Sequence, residues 1–354
     1  MEKILITTGG TGGHVIPAKI IEEHLRNNFE IYYSTDIRGL KYLSLDINKT
    51  IIIDTPKVKL SLNLIFKIFK LINLIFKSIL FLKKKNIKKV ISIGGYMSLP
   101  VIIAAKILGL TILLIEPNLV LGRGNRFFLN FSKKIFCYSD KLSNFPKRYL
   151  HKIELIKPLV FKAFYDLKKN KDENDKFCFL VSGGSQGAKI FDELIKEVMH
   201  DISKNFSIKV IQQTSSHNIE NLKNFYDSRK IENKIFNFEE NFINLINMSD
   251  LCITRAGATS LAEISFLNKP FIAIPLPTAK DNHQMENAKF YEKMGCCWIL
   301  DQRILTKEKL SNTLLNIIKE KSDLIIKKSN LKKLNYKNSW NNVNQKLLKI
   351  INDN

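Results

Sequence analysis

Between Asp54 and Glu116 the chain carries no acidic residue, although lysine recurs throughout that stretch. Cysteine is scarce as well. The five present (Cys137, Cys178, Cys252, Cys296 and Cys297) are odd in number, scattered and without a C-x-x-C pair, which argues against a disulfide framework or a zinc site and fits a reducing cytoplasm. No signal peptide is read, because Met1-Glu2-Lys3 leads straight into an apolar run. The first glycine-rich loop lacks the Gly-Lys-Ser/Thr of a P-loop, and Val15 stands where a G-x-G-x-x-G motif needs its last glycine. Asp36, after the second expected strand, could imitate a ribose-binding acid, but without that motif a nicotinamide cofactor is not indicated. The most apolar stretch, 60–82, is interrupted by Lys67, Lys70 and Lys77, each costing about 2.5–3.5 kcal/mol near a bilayer centre, so a membrane span is not expected.

What is present is a globular composition, 45% hydrophobic and 25% charged, in 354 residues, enough for two domains. The net charge of +23 suits an anionic substrate, an anionic membrane or nucleic acid, or merely a solvated lysine-rich surface. No recognisable nucleic-acid module accompanies it, so that partner is discounted. Four of only 15 glycines fall within residues 9–13, in TTGGTGGHVIPA, between the strand-like Ile4-Leu5-Ile6 and apolar residues at helical spacing through Pro17, Ala18, Ile21 and Leu25. Such a strand-to-helix turn lets a ligand approach the backbone and aims helix N–H groups at an anion. His14, at the helix start, is either a neutral general base or a residue packed under the loop.

The order of parts repeats from Lys176: a strand, Gly-Gly-Ser-Gln-Gly at 183–187, then an amphipathic helix. Two such openings imply two similar α/β domains. Strands are expected at 30–34, 51–53, 89–93, 111–115 and 134–138, and again at 207–213, 250–254 and 270–275. Parallel sheets place ligands at strand carboxyl ends, here in the cleft between two facing sheets. The bounds expected are 1–164, a polar linker at 165–176, 177–340, and a C-terminal helix at 341–354 that packs back on the first domain. In RAGATSLAEISFLNKPFIAIPLPTAKDNHQMENA, strand 250–254 is expected to deliver Arg255 to the cleft. Thr259 and Ser260 then cap a helix carrying Glu263, whose carboxylate can accept two ribose hydroxyls or simply complement the helix dipole. The run 281–284, ending in Gln284, supplies donors and acceptors for sugar hydroxyls. In 60–82, Lys59, Asn63, Lys67, Lys70 and Lys77 fall within roughly 80° of one another on a helical projection, which predicts an apolar helix with a basic stripe for a membrane surface, continued by the lysines up to residue 89.

With GGTGGH, GGSQG, R-A-G-A-T-S-L-A-E and D-N-H-Q-x-x-N-A in order, the sequence resembles the MurG family of bacterial glycosyltransferases nearly end to end. E-P-N-L-V-L-G-R-G-N at 116–125 is similar to a further family motif, with Pro117 in place of Gln. The resemblance implies a GT-B fold of two Rossmann-like domains. It implies transfer of N-acetylglucosamine from UDP-N-acetylglucosamine to the 4-hydroxyl of undecaprenyl-diphosphate-linked muramoyl-pentapeptide, with inversion, on the cytoplasmic face of the inner membrane. By similarity Thr11, Gly12, Gly13 and Asn125 face the donor from the first domain, while Ser185, Ala258 with its neighbours, Glu263 and Gln284 form the donor pocket and Phe238 covers the uracil. His14 would take the proton, UDP would leave against the helix start after the second glycine loop, and no cofactor or metal pair is indicated. The family's Asn-Pro-Val-Arg reads Lys157-Pro158-Leu159-Val160 here, so the arginine expected near the diphosphate is absent, with Lys157 or Lys162 as substitutes. Alternatives are another lipid acceptor, a UDP-sugar epimerase, or a non-catalytic membrane scaffold.

Overall fold

The computed structural model describes residues 1–43, 46–56, 64–167, 176–184 and 189–353. Lys59 and Asn63 of the expected basic stripe, Ser185 with Gln186 and Gly187, and 168–175 of the expected linker lie outside the described residues. The chain forms two compact units, Met1–Lys162 joined by Asn338–Asn354, and Ala163–Lys337.

The first unit runs β1 (Glu2–Thr7), α1 (Gly12–Leu25), β2 (Phe29–Thr35), β3 (Thr50–Ile52), α2 (Leu64–Lys84), β4 (Lys89–Ser92), α3 (Leu99–Ile107), β5 (Thr111–Glu116), α4 (Arg123–Phe128), β6 (Lys134–Cys137) and β7 (Ile153–Leu155). A short helix, α5 (Lys162–Asp166), begins at the unit boundary. The second unit runs β8 (Phe177–Ser182), α6 (Lys189–Ser203), β9 (Ile208–Gln213), α7 (Ile219–Asp227), β10 (Glu232–Phe236), α8 (Phe242–Met248), β11 (Leu251–Thr254), α9 (Ala258–Phe266), β12 (Phe271–Ala273), α10 (His283–Lys293), β13 (Cys297–Ile299), α11 (Lys307–Lys319) and α12 (Lys321–Leu334). The chain then re-enters the first unit as α13 (Trp340–Asn352).

Both sheets are parallel throughout, in the orders β3-β2-β1-β4-β5-β6-β7 and β10-β9-β8-β11-β12-β13. In each, the order reverses beside the first strand, so the loops after β1 and β4, and after β8 and β11, diverge to opposite faces and leave a crevice at the carboxyl edge. The continuous apolar runs follow from helices on both faces: Ile4 and Ile6 pack under α1 and α13, Leu5 and Val90 under α2 and α3. Three strands were not anticipated, β7, β10 and β13. Two of them, β7 and β13, have only three residues each, and Glu232-Asn233-Lys234 makes β10 polar, as its place at a sheet edge permits.

Helix α13 is seated by its own apolar stripe, Val343, Leu347, Ile350 and Ile351. His24 stacks on Trp340 with ring centroids 3.8 Å apart, and the Asn344 amide lies between His24 Nδ1 (2.5 Å) and Trp340 Nε1 (3.1 Å). Burial pushes the His24 imidazole down to about 4, so the stack is neutral at physiological pH. Lys89 Nζ donates to the Ile351 carbonyl at 2.6 Å, where a cation suits a helix C-terminus.

Helix α2 packs through Leu74, Ser78 and Leu82. Its opposite face carries Ile65, Phe69, Ile72, Phe76 and Leu80, all exposed, and at about 100° per residue these lie within about 80° of one another. Lys70, Lys77 and Lys84 border that stripe, whereas Lys67, expected among them, turns toward the packed side and is half-buried. No helix among the described residues is long and apolar enough to cross a membrane.

Leu347→Ala removes a fully buried side chain and should destabilise the first unit by about 2–5 kcal/mol. Amide exchange checks this: β1, β2 and β4 should lose protection while β8, β9 and β11 keep theirs.

Candidate active site

In the first unit the glycine loop leaves β1 and enters α1 at Gly12, five residues earlier than the apolar spacing from Pro17 suggested, leaving Pro17 inside the helix. Thr11 is the residue before the helix and is exposed, as is Gly13, while Gly12 is buried. The loop is held from beneath by Asp36, whose Oδ1 accepts from Gly10 N (2.8 Å) and Gly39 N (2.9 Å). Burial favours the neutral acid, but these two N–H groups and Arg38 outweigh it and hold the Asp36 carboxyl below its usual range. Asp36 therefore braces the loop instead of facing a ribose. Thr8 Oγ1 donates to the His14 carbonyl at 2.8 Å, fixing the first turn of α1.

The loop after β4, Ile93 to Ser98, closes over the same edge. Gly95 has φ 84°, and a side chain there would meet Met97 Sδ at 2.5 Å and His14 Cδ2 at 3.7 Å. A Cβ on Gly124 would lie 2.9 Å from Gly95 N, so α4 also approaches this loop backbone to backbone. Gly94-Gly95 was not singled out from the sequence. The available signal was a Gly-Gly pair directly after an expected strand, the pattern already seen at Gly9-Gly10 and Gly183-Gly184.

Asn125, in α4, is buried and donates through Nδ2 to the Ile115 carbonyl and to Glu116 Oε2, both at 3.0 Å. Glu116 also accepts from Gly122 N (2.8 Å) and from Asn118 N and Nδ2 (3.2 and 3.1 Å). Burial still pushes its carboxyl up, because four donors only partly replace water around it. The motif from 116 to 125 is thus a loop folded around one carboxylate, and the polar side-chain atom it leaves unmatched is Asn125 Oδ1. Val160 is fully buried and supplies no cation where the family motif carries its arginine.

In the second unit the carboxyl ends of β8, β9 and β10 are laced together. Ser182 Oγ donates to Gln213 Oε1 (3.0 Å), Gln213 Nε2 to the Asn237 carbonyl (3.2 Å), and Asn237 Nδ2 to the Thr214 carbonyl (2.9 Å). The next residue, Phe238, is 78% exposed. A ring so solvated beside a braced loop is free to cover a flat ligand.

After β11 the structure corrects two expectations. Arg255 is only 7% exposed: it donates through Nη1 to the Ile274 carbonyl (3.0 Å) and lies over the Phe191 ring (4.8 Å), with burial pushing it down to about 10. It ties three elements together instead of projecting toward a ligand. Thr259 and Ser260 do not cap a helix, because α9 already begins at Ala258 with Gly257 as the capping position; both hydroxyls belong to its first turn.

Glu263, one turn further on α9, is half-buried and has no hydrogen-bond or ion-pair partner among the described residues. Burial pushes its carboxyl up to about 8. Gln284 and Asn287, on successive turns of α10, grip both backbone polar groups of Ala256 in the loop after β11. Gln284 Oε1 accepts from Ala256 N (3.3 Å) and Leu276 N (2.9 Å), and Asn287 Nδ2 donates to the Ala256 carbonyl (3.1 Å). Asn287 was legible only as part of the D-N-H-Q-x-x-N-A string, since the pairing of both amides on Ala256 depends on where β11 ends. The arrangement leaves Gln284 Nε2 as an open donor, close in sequence to a left-handed turn at Asp281 and Asn282.

A braced glycine loop and a histidine at a helix start on one Rossmann-like sheet, with an unpartnered carboxylate and an exposed aromatic on a second, are parts that suit a nucleotide-sugar transferase. Residues 4–137 match the glycosyltransferase family 28 N-terminal domain and residues 178–343 the family 28 C-terminal domain. The chain is 47% identical over 358 residues to the UDP-N-acetylglucosamine–N-acetylmuramyl-(pentapeptide) pyrophosphoryl-undecaprenol N-acetylglucosamine transferase of Pelagibacter ubique (strain HTCC1062), covering 100% of this chain and 99% of that protein. It is 34% identical to the enzyme of the same name from Rickettsia bellii (strain RML369-C), covering 90% and 91%. The crystal structure of Acinetobacter baumannii MurG superposes with a TM-score of 0.80 at 22% identity over the whole of both chains, showing the shared GT-B fold. With both halves matched in order and the full length aligned at 47% identity, the chain belongs to glycosyltransferase family 28, among its MurG-type N-acetylglucosamine transferases.

Proposed function

We propose that this chain transfers N-acetylglucosamine from UDP-N-acetylglucosamine to the 4-hydroxyl of undecaprenyl-diphosphate-linked N-acetylmuramyl-pentapeptide, the step of peptidoglycan synthesis that turns lipid I into lipid II. The observation that carries the reading is the full-length match to a relative named for that transfer. In this reading the second unit holds the donor. Phe238 covers the uracil, and Glu263 accepts the ribose hydroxyls that its burial and lack of partners favour. Ser185, Ala258, Thr259, Ser260 and Gln284 serve the diphosphate and sugar. Arg255 supports this pocket from behind.

The first unit holds the acceptor, and in this reading Thr11, Gly12, Gly13 and Asn125 belong to the side of it that faces the donor. His14 takes the proton from the 4-hydroxyl as that oxygen bonds to C1 of the donor sugar. The C1–oxygen bond to UDP breaks in the same step, UDP leaves with the electron pair, and the anomeric centre inverts. The acceptor's lipid requires work at a membrane surface, on the cytoplasmic face where UDP-sugars are found. The exposed stripe Ile65, Phe69, Ile72, Phe76 and Leu80, edged by Lys70, Lys77 and Lys84, supports a peripheral contact with anionic lipid.

Four outcomes test these roles. His14→Ala should lower kcat by about 10²–10⁴ while UDP affinity stays within about twofold, measured by UDP release and calorimetry. Because Glu263 titrates near 8 when unoccupied and the ribose hydroxyls favour its ionised form, uridine affinity should rise from pH 6 to pH 8 and become flat in Glu263→Gln. In the unoccupied protein the same shift runs against stability: between 4.5 and 8 the folded state keeps a proton that the unfolded chain releases, so stability falls as pH rises through that window. Glu263→Gln should remove that decline, read as a higher thermal midpoint than wild type at pH 8. Replacing Phe69 and Phe76 together by Glu should weaken binding to phosphatidylglycerol vesicles at least about tenfold with little change in melting, since both rings are exposed.

A further inference from the structure

The turn that follows β2 places an arginine against the first glycine loop. Asp36 is buried; one of its oxygens, Oδ1, is taken up by the Gly10 and Gly39 N–H groups. The other, Oδ2, accepts from Arg38 Nε at 2.8 Å and Nη2 at 2.7 Å. Gly39 makes the turn possible, because a Cβ there would lie 2.2 Å from Thr35 Oγ1 and 3.0 Å from Gly9 Cα. The chain is thereby folded so tightly that Arg38 lies back over the loop. A Cβ on Gly10 would be 3.8 Å from Arg38 Nη2 and 3.0 Å from Met97 Cε, so guanidinium and thioether flank a bare stretch of backbone.

The guanidinium is not used up by this grip. Its side chain remains 59% exposed. Of the five N–H bonds an arginine offers, Asp36 engages two, leaving both on Nη1 and one on Nη2 without a partner among the described residues. A fork clamped along one edge by a buried carboxylate has already lost its rotamer freedom, so a ligand on the other edge gains charge-assisted hydrogen bonds at low ordering cost. The Asp36 carboxylate offsets part of the arginine's charge, but its two backbone donors draw its field toward the loop and the outer N–H groups remain directional donors. The ligand such a fork fits is an anion with several oxygens in one plane of approach, and the loop beneath it opens onto the start of α1.

We propose that Arg38 binds the diphosphate of the lipid-linked acceptor, its open Nη edge donating to a phosphate oxygen above Gly10. The assignment rests on the transferase reading, in which the first unit receives an acceptor that carries a diphosphate. It also gives this chain a cation at the carboxyl edge of the first sheet, where Val160 offers none.

The test uses the full chain with Arg38→Gln and Arg38→Lys. With a short-chain polyprenyl-diphosphate acceptor, Arg38→Gln should raise the acceptor KM about tenfold or more while the KM for UDP-N-acetylglucosamine stays within about twofold. Arg38→Lys, which keeps the charge but not the fork, should fall between. In parallel, inorganic pyrophosphate is titrated calorimetrically into UDP-saturated protein, where Arg38→Gln should bind about tenfold more weakly than wild type. An unchanged acceptor KM in Arg38→Gln, or equal rises in both KM values together with a lowered melting temperature in both variants, overturns the proposal. If wild type transfers no sugar, the transferase reading fails, and the pyrophosphate titration then decides alone: equal binding by wild type and Arg38→Gln overturns the role of Arg38.

Discussion

The constraint on which the rest of this molecule depends is parallel pairing of each unit's first strand on both of its edges. β1 pairs with β2 and β4, and β8 with β9 and β11, all in the same direction. Parallel neighbours cannot be joined by a tight turn, so the connections cross a face of the sheet, most of them as an α-helix, and where the order reverses two crossings leave in opposite directions. The gap between them is the one place on each sheet where backbone N–H groups, helix starts and side chains from four loops converge without having to be pried apart. The first glycine loop, His14, Asp36, Gly95, Ala256 and Glu263 all belong to such a gap in their own unit.

Most polar groups around these gaps serve the loops. Asp36, Glu116, Gln284 and Asn287 are committed to backbone N–H and carbonyl groups, and Arg255 is turned inward onto Phe191. Irregular backbone near a ligand is rigid only when its donors and acceptors are matched, and buried side chains do this where no sheet or helix ladder can reach. Against that background a few groups are left open among the described residues: the Glu263 carboxylate, Gln284 Nε2, the exposed Phe238 ring and the outer edge of Arg38. They are few because each carries a cost in the unoccupied protein, seen most directly in the upward shift of Glu263.

The helix α2 shows the same logic at a larger scale. Its packing needs only Leu74, Ser78 and Leu82, yet a second apolar stripe faces solvent, bordered by lysines. A continuous exposed apolar stripe edged by cations is the pattern an interfacial helix carries, and the membrane contact proposed above would cover it.

Read alone, the sequence determined the α/β class, the two repeated openings, most central strands, the apolar basic-edged helix and the family, because these depend on local periodicity and on residues close together in the chain. It could not determine β7, β10 and β13, which are short or polar edge strands stabilised by a neighbour and not by their own pattern. Nor could it distinguish the residues that support loops from those that face a ligand. Arg255 and Thr259-Ser260 were expected in the wrong settings, Gly94-Gly95 and Asn287 were passed over, and Asp36 and Arg38 had no visible link to Gly10. Most of those assignments depend on which strand ends lie side by side: Asp36 and Gly10 are 26 residues apart, and Asn287 and Ala256 are 31 apart. Only the tertiary structure decides that, because a side chain's role is set by what is packed against it, and packing partners are chosen by the sheet and not by position along the chain.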